Sequence, residues 1–139
     1  MSHSPSNSWA FYQQVVFCGL PSGTVFPEAF AIITACNPDG QDQPASVNRL
    51  ADERLEARLR DLGHAPMRIT GCSPDFVHQE PGWLVDLSEQ VALELGHAFG
   101  QEALFRVEAD RLMLIPCRST EPLVDLGAFS ARLRESPLT

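Results

Sequence analysis

Long apolar runs are missing from this chain. The longest candidate near the start, Val15 to Cys18, is far too short for a membrane span or the core of a secretory leader, and Met1 to Ser8 is polar without basic residues. The expected location is the cytoplasm. Basic residues are scarce as well, 10 against 18 acidic ones, for a formal charge of −8. Such a balance repels phosphate backbones and anionic lipid, so nucleic-acid and membrane-surface roles are disfavoured. The one basic concentration, Arg54, Arg58 and Arg60, is interleaved with Asp52, Glu53, Glu56 and Asp61 and reads as a solvated helix face. Paired cysteine motifs are absent too: Cys18, Cys36, Cys72 and Cys117 form no CxxC and no zinc spacing, and read as small buried residues in a reducing compartment. There is no GxGxxG or phosphate loop, no nucleophile elbow at Gly71-Cys72-Ser73, no internal repeat, and no low-complexity tract beyond the start. No cofactor and no metal are expected.

What is present is ordinary globular material: 139 residues, 44% apolar and 20% charged, enough for one real core. The expected organisation is a disordered tail over 1–8, one domain over 9–118, and a C-terminal extension over 119–139 carrying a short helix. Trp9 to Phe17 fits a short helix followed by a strand, without periodicity to decide it. Phe30 to Cys36 is apolar throughout and β-branched at its centre, and it stops at the turn Asn37-Pro38-Asp39-Gly40, as a buried central strand does. Val47, Ala51, Leu55 and Leu59 recur every four residues, with Leu50 and Leu62 widening the stripe, Ser46 as N-cap and Gly63 as C-terminal cap. Met67 to Cys72 and Trp83 to Leu87 read as strands. A second helix runs from a cap at Asp86 or Ser88 to Phe99. Ala103 to Val107 and Leu112 to Ile115 form a hairpin, and Leu126, Phe129 and Leu133 recur at helical spacing in the extension. The order β-α-β-β-α-β-β points to an α+β fold, a ferredoxin-like split β-α-β sandwich with two main helices on one face of an antiparallel sheet, plus an extra hairpin strand and the C-terminal helix.

Four side chains fall at ends of elements, where groups from different strands converge on one rim: Asn37, Asn48, Glu80 and Gln101. Amides donate and accept hydrogen bonds, and the carboxylate can hold charge or act as a general acid or base. The competing reading is structural, because Asn before Pro is turn chemistry and Asn and Gln often tie loops to backbone. A weaker idea places a metal on His78 and Glu80, completed by Cys72 or His97.

These residues carry a resemblance. Thr34-Ala35-Cys36-Asn37-Pro38, Asn48, Gly71 with Pro74-Asp75, Glu80-Pro81, and Phe99-Gly100-Gln101 with Ala103 resemble, in order and spacing, a family of small bacterial proteins known only as domain of unknown function 3293. The likeness runs from about Pro27 to Cys117. Cys36 stands where the family often has an aromatic residue, which suggests packing at that position. The resemblance implies no activity; it adds weight to Asn37, Asn48, Glu80 and Gln101 as a set. The leading expectation is a small binding or regulatory module with a site for a polar ligand or a protein partner at the sheet rim. The alternative is a small enzyme with Glu80 as acid or base and Asn37, Asn48 and Gln101 orienting a substrate. A homodimer formed through an edge strand or the C-terminal helix is a third possibility.

Overall fold

The computed structural model describes residues 7–118 and 120–135. The expected tail over 1–8 falls outside them up to residue 6, and residues 7 and 8 open the first helix. Three helices occur among the described residues: α1 (Asn7–Gln14), α2 (Ala45–Asp61) and α3 (Glu89–Ala98). Seven strands, β1 (Val16–Cys18), β2 (Ala29–Thr34), β3 (Met67–Cys72), β4 (Gln79–Val85), β5 (Ala103–Glu108), β6 (Arg111–Pro116) and β7 (Val124–Ala128), form one sheet in the order β1-β3-β4-β2-β5-β6-β7. Every adjacent pair is antiparallel.

The ferredoxin-like sandwich is therefore corrected. The sheet dominates this fold, curls into a half-barrel, and is covered on both faces. The reason lies in β2. Phe30 and Ile32 point to one face while Ala31 and Ile33 point to the other, and all four are buried. A strand apolar on both sides needs cover on both sides. On one face α2 and α3 lay Leu55, Leu59, Ala92 and Leu95 against Ala31, Ile33, Trp83 and Val85. On the other, α1 sets Trp9 and Tyr12 against Phe17, Phe30, Ile32, Ile69, Leu84 and Phe105.

The curl follows from chain length. Leu133 bridges to Phe17 of edge strand β1, only five residues after the end of β7 on the opposite edge. Six inter-strand gaps of about 4.8 Å would separate flat edges by about 29 Å. Five residues reach at most about 18 Å. The connection, a three-ten turn over Phe129–Arg132, closes the open side. Phe129 packs among Phe17, Phe26 and Phe30 with ring centroids 5.3–5.5 Å away. Arg132 donates to the carbonyls of Gln13, Val15 and Leu126 at 3.0–3.1 Å. This replaces the C-terminal helix expected over 124–134: the spacing of Leu126, Phe129 and Leu133 comes from a strand, a turn and a bridge in succession.

Several local readings hold. Gly63 follows α2 in the left-handed region at φ 89°, and the His64 N–H closes back on Leu59. Ser88 caps α3 by accepting from the Val91 N–H at 3.3 Å. The β5–β6 turn, Ala109-Asp110, has both residues at positive φ, the two-residue form whose twist suits a hairpin. The cap of α2 is Pro44, so Ser46 sits inside the helix. Of the predicted α2 stripe, Leu55 and Leu59 are buried, whereas Val47, Leu50 and Leu62 stay exposed.

Candidate functional site

The turn after β2 organises one end of the sheet. Asn37 is left-handed at φ 46°, a conformation its short polar side chain tolerates. Its N–H donates to Asn48 Oδ1 at 2.9 Å, and Asn48 Nδ2 donates back to Asn37 Oδ1 at 2.8 Å. The Gln43 N–H also donates to Asn37 Oδ1, at 3.0 Å. The two asparagines thus bind each other and hold the loop that leads into α2. Gln101, fully buried, accepts from Thr34 Oγ1 at 2.9 Å and donates to the carbonyls of Cys36 and Phe99 at 3.1 and 3.2 Å. Gly100 completes the lock. The Asp39 N–H donates to its carbonyl at 2.7 Å, and a Cβ at position 100, already strained at φ 68°, would lie 2.9 Å from Pro38 Cβ. Three of the four singled-out side chains are therefore bonded to one another's loops.

Glu80 is different. Its side chain is 8% exposed, on the α1 face of β4, opposite Gly71 of β3. Oε2 lies 2.7 Å from Nε2 of His78, whose side chain is 45% exposed. Oε1 accepts no hydrogen bond from any described residue. Burial pushes the Glu80 carboxyl above the ordinary glutamate range. The His78 bond pulls the other way, and the negative charges of Glu102 and Asp42 add to the rise. Tyr12, on α1 above it, has its phenol raised by burial first and by the Glu80 charge second.

His78 is held from two sides. The β3–β4 loop is tied by Ser73 Oγ, which donates to Asp75 Oδ1 at 2.6 Å and accepts from the His78 N–H at 3.0 Å, while the Ser73 N–H donates to the His78 carbonyl at 2.9 Å. The His78 ring then meets Phe11 of α1 edge-on, with centroids 4.6 Å apart. The sequence reading paired His78 with Glu80 only as metal ligands. Two residues apart, they point to the same face of an extended segment, the one signal that announced the bond. The proposed completing residues lie elsewhere: Cys72 contacts Cys18, Sγ to Sγ 3.0 Å, and His97 is on α3, across the sheet. No group of three or more His, Cys, Asp or Glu suited to a metal occurs among the described residues.

Glu80 and His78 open into a cleft of about 490 Å³, walled by Phe11 and Gln14 of α1, by Asn37, Gly40 and Asp42 of the turn after β2, and by Ser73 and Pro74 of the β3–β4 loop. Asn37 borders this cleft and also a second one of about 550 Å³, on the α2 side, with Cys36, Asn48, Asp52 and Arg68. In the second cleft the acid is paired. Arg68 makes a bidentate contact with Asp52 at 2.6 and 2.8 Å, and its guanidinium lies 3.8 Å from the Trp83 ring centre. The Cys36 thiol there is pushed up to about 12 by burial, so it is not a ready nucleophile.

The family model described as Protein of unknown function (DUF3293) matches residues 33–104, or 72 of the 139 residues. The chain belongs to this family. The matched segment contains Asn37, Asn48, His78, Glu80 and Gln101, and in the fold its Asn37-Pro38 and Phe99-Gly100-Gln101 stretches are two halves of one lock. It stops short of α1, which supplies a wall of the cleft. Neither a curated protein nor a solved structure matches the chain.

Proposed function

We propose that the chain is a small-molecule-binding domain, and that its site is the cleft floored by Glu80 and His78. The observation that carries this reading is a carboxyl 8% exposed, with one oxygen bonded to His78 and the other accepting no hydrogen bond from a described residue, lining a cleft of about 490 Å³. That volume is within the range of small-ligand sites. Asn37, Asn48 and Gln101 serve as its frame: their hydrogen bonds hold the turn that forms one wall. The four free thiols and the absence, among the described residues, of a helix long and apolar enough to cross a membrane support a cytoplasmic setting.

A second reading makes Glu80 a general acid or base. It is favoured by the raised proton affinity of the carboxyl together with its orientation by His78. One experiment addresses both. Purified protein is screened by thermal shift against small polar compounds alongside Glu80→Gln and Asn48→Ala. A compound at 100 times its Kd adds about 2.7 kcal/mol to stability, several degrees for a domain of this size. A shift lost in Glu80→Gln and kept in Asn48→Ala is expected. Shifts that survive in Glu80→Gln would refute the cleft as the site. Turnover of a hit would select the enzyme reading.

A further inference from the structure

We infer that the ligand of this cleft is a small organic cation, its ammonium group seated between Glu80 and Asp42. The inference rests on the binding reading above and adds the chemical class. A carboxylate withdrawn from water needs a counter-charge. Around Glu80 the groups are His78 from its own strand, Tyr12 and Phe11 from α1, Asp42 from the turn after β2, and Glu102 from the turn after α3. Three are acids or a phenol, and only His78 can carry positive charge. The chain contains no lysine, all ten of its basic residues are arginines, and none of them lines this cleft. Arg118, near the same turn, is already paired with Asp39.

The missing charge is thus one that the described residues do not supply. An ammonium group has three donors and can meet Glu80 Oε1 and the exposed Asp42 carboxylate together. Phe11 offers aromatic surface beside them for the carbon skeleton or for the cation itself. An anion would meet two carboxylates on entry. A divalent metal would find no gathered set of three ligands among the described residues. Binding a cation favours the ionised form of Glu80, so affinity must rise with pH as that carboxyl loses its proton, until the amine itself deprotonates.

The test is an NMR titration of the full chain with n-butylamine, n-butanol, butyrate and magnesium ions, following the side-chain signals of His78 and Glu80. Butylamine is expected to shift both, with affinity higher at pH 8 than at pH 5. Glu80→Gln should weaken it at least tenfold, the loss of one charge-assisted hydrogen bond, and Asp42→Asn a few-fold. Both variants must keep the wild-type amide spectrum; if Glu80→Gln does not, Asp42→Asn and the pH dependence decide. Butanol or butyrate binding as well as the amine, or magnesium binding in its place, would overturn the cation and leave the cleft. Silence from all four probes in the cleft would overturn both. Equal amine affinity in wild type and variants, or at both pH values, would show that the ammonium sits elsewhere and would also overturn the inference.

Discussion

Two buried carboxylates lie on opposite faces of the same sheet, and they are equally hidden but unequally satisfied. Asp52 on α2 and its partner Arg68 have side chains 11% and 41% exposed; Glu80 and His78 have 8% and 45%. Yet Asp52 uses both oxygens on one guanidinium, which also lies over Trp83 and donates to the Gly82 carbonyl. In return the Asp52 contact raises the affinity of Arg68 for its proton. Glu80 has one bond to a smaller ring that is charged only when protonated, and its own proton affinity rises. Burial alone does not mark a site. The contrast in partners is what separates them: one acid is completed by a bidentate guanidinium, the other has a single bond to an imidazole among the described residues.

The sharpest way to break this comparison is to remove the cations. Arg68→Ala strands a buried carboxylate and should cost about 2 kcal/mol in urea denaturation, below the full value for a buried pair because water reaches the half-exposed guanidinium. Asn37→Ala removes two hydrogen bonds from the turn, those its Oδ1 accepts from the Gln43 N–H and from Asn48 Nδ2, and should cost about 1–2 kcal/mol by the same measurement. The bond through the Asn37 backbone N–H can persist, which keeps the loss at that level. His78→Ala should cost less, about 0.5–1 kcal/mol, and should move the Glu80 carboxyl further upward in a carbon-13 titration, since His78 is what lowers it. A loss matching that of Arg68→Ala would erase the distinction. Glu80→Gln tests the sign. A carboxyl whose affinity for protons is raised on folding stabilises the fold below the ordinary glutamate range, and that stability is lost as pH rises through the raised value. The variant should therefore gain on wild type as pH climbs across that window, read as a widening difference in Tm. The exposed Glu56–Arg60 pair on α2 sets the floor: Arg60→Ala should change stability by no more than about 0.5 kcal/mol.

Much of this was legible in the residues. The β-branched run of β2, the four-residue stripe of α2 and the turn of the β5–β6 hairpin each carry local signals that the fold keeps. The association of Asn37, Asn48 and Gln101 was also readable, because amides beside Pro and Gly at element ends announce loop locking. That Glu80 bonds to His78 and takes no part in their hydrogen bonds was not. The bond from Glu80 to His78 had one local mark, their spacing of two, but the burial of Glu80 depends on α1 packing over the sheet, a long-range contact that no local pattern announces. The half-barrel escaped notice for a similar reason. β1 is three residues long and β7 is mostly exposed with a glycine inside, so neither displays an alternation that would identify it. The helical spacing of Leu126, Phe129 and Leu133 was a coincidence of three different conformations.

The bridge from Leu133 to Phe17 has a consequence for how the molecule comes to exist. During synthesis the N-terminal segment leaves the ribosome first, yet the contacts that hold it come from β3 and from residues 129–134. Arg132 reaches the Gln13 carbonyl across 119 positions of chain. Helix α1 and strand β1, and with them the cleft wall that carries Phe11 and Gln14, must wait unassembled while the middle of the sheet forms. The aromatic cluster around Phe129 can close only once residues 129–133 have been made, so the cleft is among the last parts of this domain to take shape.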